Sequence, residues 1–263
     1  SETGLRLYSE ADLKKANLLG FLTRKGMSIS EIASLELLEL ESLREGIAPV
    51  SIKKNESAVT AKLYEFLEHY DLDSLFQEIR HLRMKMGVRE FIFDVVLPLI
   101  REVGYFVQQQ RYTVTQEHIV STLLREQLSQ YEVSPKSDGT GQVILATPDG
   151  NTHELSILIA NLLCRNNRVS TKYLGAAHPA DSLACAINYI KSPILILGTL
   201  SSEFWEYEKE ITPYLQNLDD LIKVKITVYI GGGQALKMPV FQNIKTVKFL
   251  ESFEELEQEL ENL

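Results

Sequence analysis

The segment Asn151-Thr152-His153-Glu154-Leu155-Ser156 puts one histidine between an apolar run that reads as a strand, residues 143–146, and an apolar helical pattern, residues 155–164. In an open α/β sheet this carboxyl edge of the strands is where ligands bind. An imidazole there has the chemistry of a metal ligand. The competing reading is a histidine that caps a helix or faces solvent. His69, His81 and His178 have no partners at metal-ligand spacing, and His178, before Pro179, reads as a cap for the next helix. No Ser/His/Asp, paired-carboxylate or Cys/His constellation stands out. The available chemistry is ligation, and the chain is not read as an enzyme.

The elements that must position His153 lie in residues 141–263, where strand-like and helix-like segments alternate. Strands are expected near 143–146, 169–174, 193–198, 224–230 and 245–249. Helices are expected near 153–165, 180–190, 203–217, 234–238 and 252–262. Leu183, Ala186, Ile187 and Ile190 form a buried stripe in the second of them. Apolar, β-branched strands of this kind suit a parallel sheet covered on both faces, a Rossmann-like doubly wound domain. The first turn reads Thr147-Pro148-Asp149-Gly150 rather than Gly-x-Gly-x-x-Gly, which argues against a dinucleotide.

Residues 56–131 are helical in pattern, with helices expected near 57–69, 73–86, 89–109 and 114–130. Leu63, Phe66 and Leu67, Leu75 and Ile79, then Phe91, Val95, Leu99 and Ile100, then Ile119, Leu123 and Leu124 give each helix one apolar face. Short connections make neighbours antiparallel, as in a four-helix bundle. Pro98 should kink the third helix. In residues 1–48, Ser9 to Asp12 and Ser28 to Glu31 read as capping boxes opening two helices, with Leu13, Ala16, Leu19 and Leu22 periodic in the first. Pro49 and residues 53–56 look like a linker. The expected domains are therefore 1–48, 49–135 and 136–263.

The chain has 263 residues and a net charge of −9, which argues against a wholly nucleic-acid-binding surface, although residues 1–25 carry a small positive excess. No apolar run approaches the roughly 20 residues of a membrane span, and no signal peptide is visible. Cys164 and Cys185 both fall in apolar helical patterns and read as buried free thiols in a reducing cytoplasm. The first residue is not methionine, so a fragment or processed product is expected.

Residues Gly4 to Leu13 (with Arg6 and Tyr8), followed by Gly26 to Ile32, resemble the second half of a MerR-family DNA-binding domain, a winged-helix remnant. The resemblance implies that the recognition helix lies before Ser1, and that Arg6 and Tyr8 either touch DNA phosphates or support the fold. Asn151-x-His153-x-x-Ser156 resembles the Asp-x-His-x-x-Gly signature of cobalamin-binding domains, whose histidine ligates cobalt from below. The order of blocks resembles the CarH/LitR class of cobalamin-dependent photoreceptor repressors. Glu117-His118 matches a segment that faces the upper side of the corrin there. Gly231-Gly232-Gly233 matches a turn lying against the nucleotide tail.

Against that pattern, Val107 stands where the family has a capping tryptophan, and Gln108 where the photoreceptors have a histidine. Asn151 replaces the acid that would raise imidazole basicity, which typically costs about 10- to 100-fold in metal affinity. Ser156 replaces a glycine at the tail passage. Gly198-Thr199-Leu200 replaces Ser-x-Leu, with Thr199 or Ser201 able to supply the hydroxyl. The resemblance implies a cytoplasmic, homo-oligomeric transcriptional regulator that binds DNA, holds cobalamin on His153 and responds to it, with light as a possible trigger. The alternative is the same regulator with a cofactor-free module used for dimerisation or partner binding. A methyl-carrying corrinoid protein is the third reading, and the wing-like residues argue against it.

Overall fold

The computed structural model describes residues 10–24, 32–37, 39–40, 58–134, 142–201 and 205–261. The expected DNA contacts Arg6 and Tyr8, the Ser9 N-cap of the first capping box, the whole of the second and the linker at 53–56 lie outside these residues. The chain divides into two compact units at Ser57/Ala58. In the first, helix α1 (Glu10–Arg24) buries Leu18 and Leu22 against Ile32 and Leu40. Ala16, expected on the inner face, is exposed.

The second unit begins with helices α2 (Ala58–Glu68), α3 (Leu72–Lys85), α4 (Val88–Phe91), α5 (Leu97–Gln108) and α6 (Val114–Ser129). Asp71 Oδ1 accepts the Ser74 N–H at the start of α3. Thr113 and Gln116 close a reciprocal capping box at the start of α6. Leu63, Leu67, Leu75, Ile79, Phe91, Val95, Leu99 and Leu124 are buried in one shared core, while Phe66, Ile100, Ile119 and Leu123 pack half-buried at its edge. Between α4 and α5 the residues Ile92–Val96 form a π-helical turn, with the Leu97 N–H reaching back to the Ile92 carbonyl. This is how Pro98 is absorbed. It has no N–H and its ring crowds the preceding turn, so the wider turn before it takes up the misfit.

The remainder is an α/β module: β1 (Gln142–Pro148), α7 (Glu154–Asn166), β2 (Ser170–His178), α8 (Ala180–Ile190), β3 (Ile194–Gly198), α9 (Tyr207–Leu221), β4 (Ile226–Gly231), β5 (Ile244–Leu250) and α10 (Phe253–Leu260). All strand pairs are parallel, in the order β2-β1-β3-β4-β5. That is the Rossmann-like arrangement whose order reverses between β1 and β3. The strands alternate: Ile144, Ala146, Leu195 and Leu197 face α8 and α9, and Val143, Leu145 and Ile196 face α7 and α10. α7 is buried on its other side as well, where Leu158, Ile159, Leu162 and Leu163 join the core of α2–α6.

Several expectations need correction. Residues 234–241 form no helix; the short apolar stretch between Gly233 and Pro239 cannot support the cost of nucleation. The third helix of the module starts at Tyr207, because Glu206 is extended, and Trp205 precedes it. His178 does not cap α8. Its Nε2 lies 3.1 Å from the Leu174 carbonyl, and the N-cap position is Pro179. Cys164 is buried but Cys185 is exposed, since it falls on the outer face of α8.

Asp219 anchors the far edge of the sheet. It is buried at 5 % exposure, and its carboxylate accepts the N–H groups of Gln242, Asn243 and Ile244, each at 2.6 Å, where β5 begins. Charge-assisted bonds of this kind contribute about 1.5–3 kcal/mol each, and stranded donors add to the loss. Asp219→Ala is expected to lower unfolding free energy by about 3 kcal/mol in urea titrations, with the exposed neighbour variant Asp220→Ala close to wild type. Burial pushes the Cys164 thiol up to about 12. A chromogenic thiol reagent is therefore expected to titrate one thiol in the native protein, and the second only after denaturation.

Candidate functional site

His153 is the N-cap residue of α7, on the loop between β1 and α7 at the carboxyl edge of the sheet. The backbone of this loop is fixed from both sides. Asn151, fully buried, accepts the His153 N–H through Oδ1 at 3.1 Å and donates from Nδ2 to the Leu200 carbonyl at 3.0 Å. The Asn151 carbonyl accepts from the Thr147 hydroxyl and from the Ala177 N–H. Thr147 Oγ1 also accepts the Ala177 N–H at 2.8 Å. Asn151 thus spends its amide on backbone groups. Its side chain ties the β1 loop to the β3 loop. Ser156 donates its hydroxyl to the His153 carbonyl at 3.2 Å, within the first turn of α7.

The imidazole itself is left incomplete. His153 Nε2 is buried and has no hydrogen-bond partner. Buried polar atoms are nearly always satisfied, so an orphan of this kind calls for a ligand, an ion or a water. Next to it, Glu154 accepts the Tyr173 hydroxyl at 2.6 Å and pairs with Arg125 of α6 at 3.7 Å. Burial and the bond to Glu154 raise the Tyr173 phenol, which stays protonated and donating. The side chain that α6 brings to the start of α7 is therefore Arg125. Of the residues expected above a corrin, Glu117 is half-buried, His118 is exposed, and Val107 is half-buried against the helical core.

The crevice between the ends of β1, β3 and β4 is filled by the protein. A Cβ placed on Gly198 would lie 2.6 Å from Ile157 Cγ2 and 3.0 Å from Ser156 Oγ, so β3 and the first turn of α7 are in direct contact. Thr199, fully buried, donates its hydroxyl to the Gly231 carbonyl at 3.1 Å. A Cβ on Gly233 would lie 2.2 Å from Cζ of the Tyr207 ring, whose hydroxyl donates to the Gln234 carbonyl at 2.8 Å. Trp205 lies against Gly150 and beside Tyr207, and both aromatics are buried. Burial pushes the Tyr207 phenol up to about 12. Gly232 abuts the Leu200 backbone, whereas Gly231 faces open space.

A sequence-only reading takes Trp205 for a packing residue of the module's third helix and misses Tyr207. They sit 24 or more residues from the glycine run, and no periodicity links the two segments. The weak signal is an aromatic pair at a helix start beside a Gly-Gly-Gly turn. Among the described residues, no group of three or more His, Cys, Asp or Glu side chains is placed to hold a bare metal ion. A metal at His153 would have to arrive with its own ligands. The axial imidazole fits a corrin's cobalt in that respect. The filled crevice does not fit the nucleotide that a cobalamin carries on the same face.

No protein-family model matches the chain. It is 26% identical to the HTH-type transcriptional repressor CarH of Myxococcus xanthus over 238 residues, which cover 88% of this chain and 78% of that protein. It is 23% identical to the repressor CarA of the same organism over 195 residues, covering 73% of this chain and 63% of CarA. The CarH/LitR resemblance read from the sequence holds, and both relatives are transcriptional repressors rather than enzymes. The Methanosarcina barkeri monomethylamine corrinoid protein superposes with a TM-score of 0.60 at 13% identity, over 77% of this chain and 97% of that one, so the two share a fold.

The close approach at Gly198 sets a test of the geometry. Gly198→Ala forces a methyl onto Ile157 and is expected to cost about 1–3 kcal/mol. Gly231→Ala meets nothing within 4 Å and is expected to change stability by less than about 0.5 kcal/mol. Paired denaturant titrations check both.

Proposed function

We propose that the chain is a cytoplasmic transcriptional regulator whose α/β module takes a corrinoid on His153 and uses it to control self-assembly and DNA binding. The unpartnered, buried Nε2 of His153 is the observation that carries this reading. The likeness to repressors and to a corrinoid protein supports it. The same reading divides the chain into a partial winged-helix region of MerR type (1–48), a four-helix bundle (49–135) and the cobalamin-type module (136–263). DNA contact falls to Arg6 and Tyr8 in the first of these regions.

In this reading His153 ligates from the α7 side, held in place by Asn151 through the loop backbone. Ser156, Thr199, Gly231 and Gly232 line the module's side of the site. Val107, Glu117 and His118 belong to the helices that face it. When bound, a corrinoid supplies a cobalt ion with an exchangeable upper ligand, the feature that a light- or ligand-sensing regulator uses. Because Nε2 is already covered, ligation has to uncover it. The contacts at that end of α7, Arg125 and Tyr173 on Glu154, are the ones placed to register the change. The filled crevice favours a second reading, in which the same regulator uses a cofactor-free module for dimerisation.

The deciding experiment incubates the protein in the dark with a panel of corrinoids, desalts it, and records visible spectra and sedimentation velocity. Retained corrin absorbance, shifted in wild type but not in His153→Ala, together with a change in oligomeric state, is the expected result. Colourless protein throughout sinks ligand binding and leaves the dimerisation module.

A further inference from the structure

The carboxyl edge of the sheet treats two halves of one ligand differently. The axial donor, His153 Nε2, is unpartnered. The crevice at the β1/β3 switch point, where an extension of the ligand would enter an open α/β sheet, is narrowed by contacts from the β1 loop, from β3 and from the loop after β4. Asn151 bridges it to the Leu200 carbonyl at 3.0 Å. Ile157 and Ser156 press on Gly198. On the β4 side Tyr207 occupies the space over Gly233, is 3 % exposed, and is tied down by its bond to the Gln234 carbonyl. Trp205, 4 % exposed, backs it against Gly150.

Resting on the corrinoid reading above, we propose that this module selects corrinoids that lack the lower nucleotide, and that Tyr207 is the residue that sets the selection. A complete cobalamin brings a bulky benzimidazole nucleotide on the face that His153 approaches. Seating it requires Tyr207 to leave a buried, hydrogen-bonded position and Trp205 to lose its packing partner. A tail-less corrin needs the imidazole alone and leaves the crevice intact. Removing a large aromatic from a packed position is a severe penalty, and here it translates into at least about a hundredfold in affinity. The discrimination is steric. The tail is rejected by atoms already in place, which is the cheaper route to specificity when the shared part of two ligands is identical.

The test uses equilibrium dialysis of the intact chain in the dark against aquacobinamide and against hydroxocobalamin, with visible spectra of the bound fraction. The expected result is a dissociation constant for cobinamide at least about a hundredfold below that for cobalamin, with a band shift that His153→Ala abolishes. Tyr207→Ala is expected to tighten cobalamin at least about tenfold while leaving cobinamide unchanged, and Tyr207→Phe to keep the wild-type preference. Equal, His153-dependent affinity for both corrinoids overturns the selection and leaves the regulator reading standing. Retention of neither overturns both. An unchanged preference in a Tyr207→Ala protein with native circular dichroism removes Tyr207 from the role.

Discussion

The structure of the second unit depends on one helix being apolar on every side. Residues Ile157 to Cys164 of α7 are all buried, because one face lies on the sheet and the other in the core of α2–α6. A helix with that pattern has no solvent-facing option. It cannot be satisfied by the sheet alone, so the helical segment is an obligatory cover for the α/β module. At the conventional 25 cal/mol per Å² of apolar surface, stripping either cover from α7 would expose several large aliphatic side chains at about 1.5–3 kcal/mol each. His153 is placed by this arrangement, since it stands at the one end of α7 where sheet, helical segment and loop converge.

The loop chemistry around His153 follows from the same constraint. A buried loop has to dispose of its backbone donors and acceptors. Asn151 and Thr147 do so for residues 151–153 and for Ala177, which adopts a left-handed backbone at φ 58°. Left-handed backbone at a non-glycine residue costs about 1–2 kcal/mol and is sustained here by two hydrogen bonds to its N–H. Among the described residues, the buried side-chain nitrogen or oxygen left without a partner is His153 Nε2. That contrast, rather than the presence of a histidine, separates His153 from His69 and His178, each of which has one ring nitrogen within hydrogen-bond reach of a backbone carbonyl.

The strands of the module, and its helices apart from the one expected at 234–238, were legible because their apolar runs and turn residues agree. The helical segment was legible from its 3.6-residue period, down to boundaries within a residue or two. What the sequence concealed was long-range. The π-turn that absorbs Pro98 depends on the width of a neighbouring turn. Asp219 looks like an ordinary acid on an amphipathic helix until residues 242–244 arrive beneath it. Cys185 sits in an apolar pattern yet faces solvent, because periodicity fixes a stripe only to within one position. At the site, spacing identified His153, but the substituted positions 151, 156 and 198 read only as losses. In three dimensions they are gains of internal contact: asparagine bridges two loops, and glycine lets β3 touch α7.

Those internal contacts bear on how the two halves of the unit communicate. Glu154 follows His153 and holds both Tyr173 of β2 and Arg125 of α6, so it reports the position of the α7 N-terminus to the sheet and to the helical cover at once. The Arg125 pair is half-exposed and contributes little to stability on its own. A weak link is what a switch needs at this point, since a ligand can shift an equilibrium only by its differential affinity for the two states. The apolar packing of α7 keeps the cover attached along most of its length, while at the end that carries the imidazole the link from α6 is the Arg125–Glu154 pair. The proposed function therefore draws on the polar end of an interface whose apolar remainder the fold cannot give up.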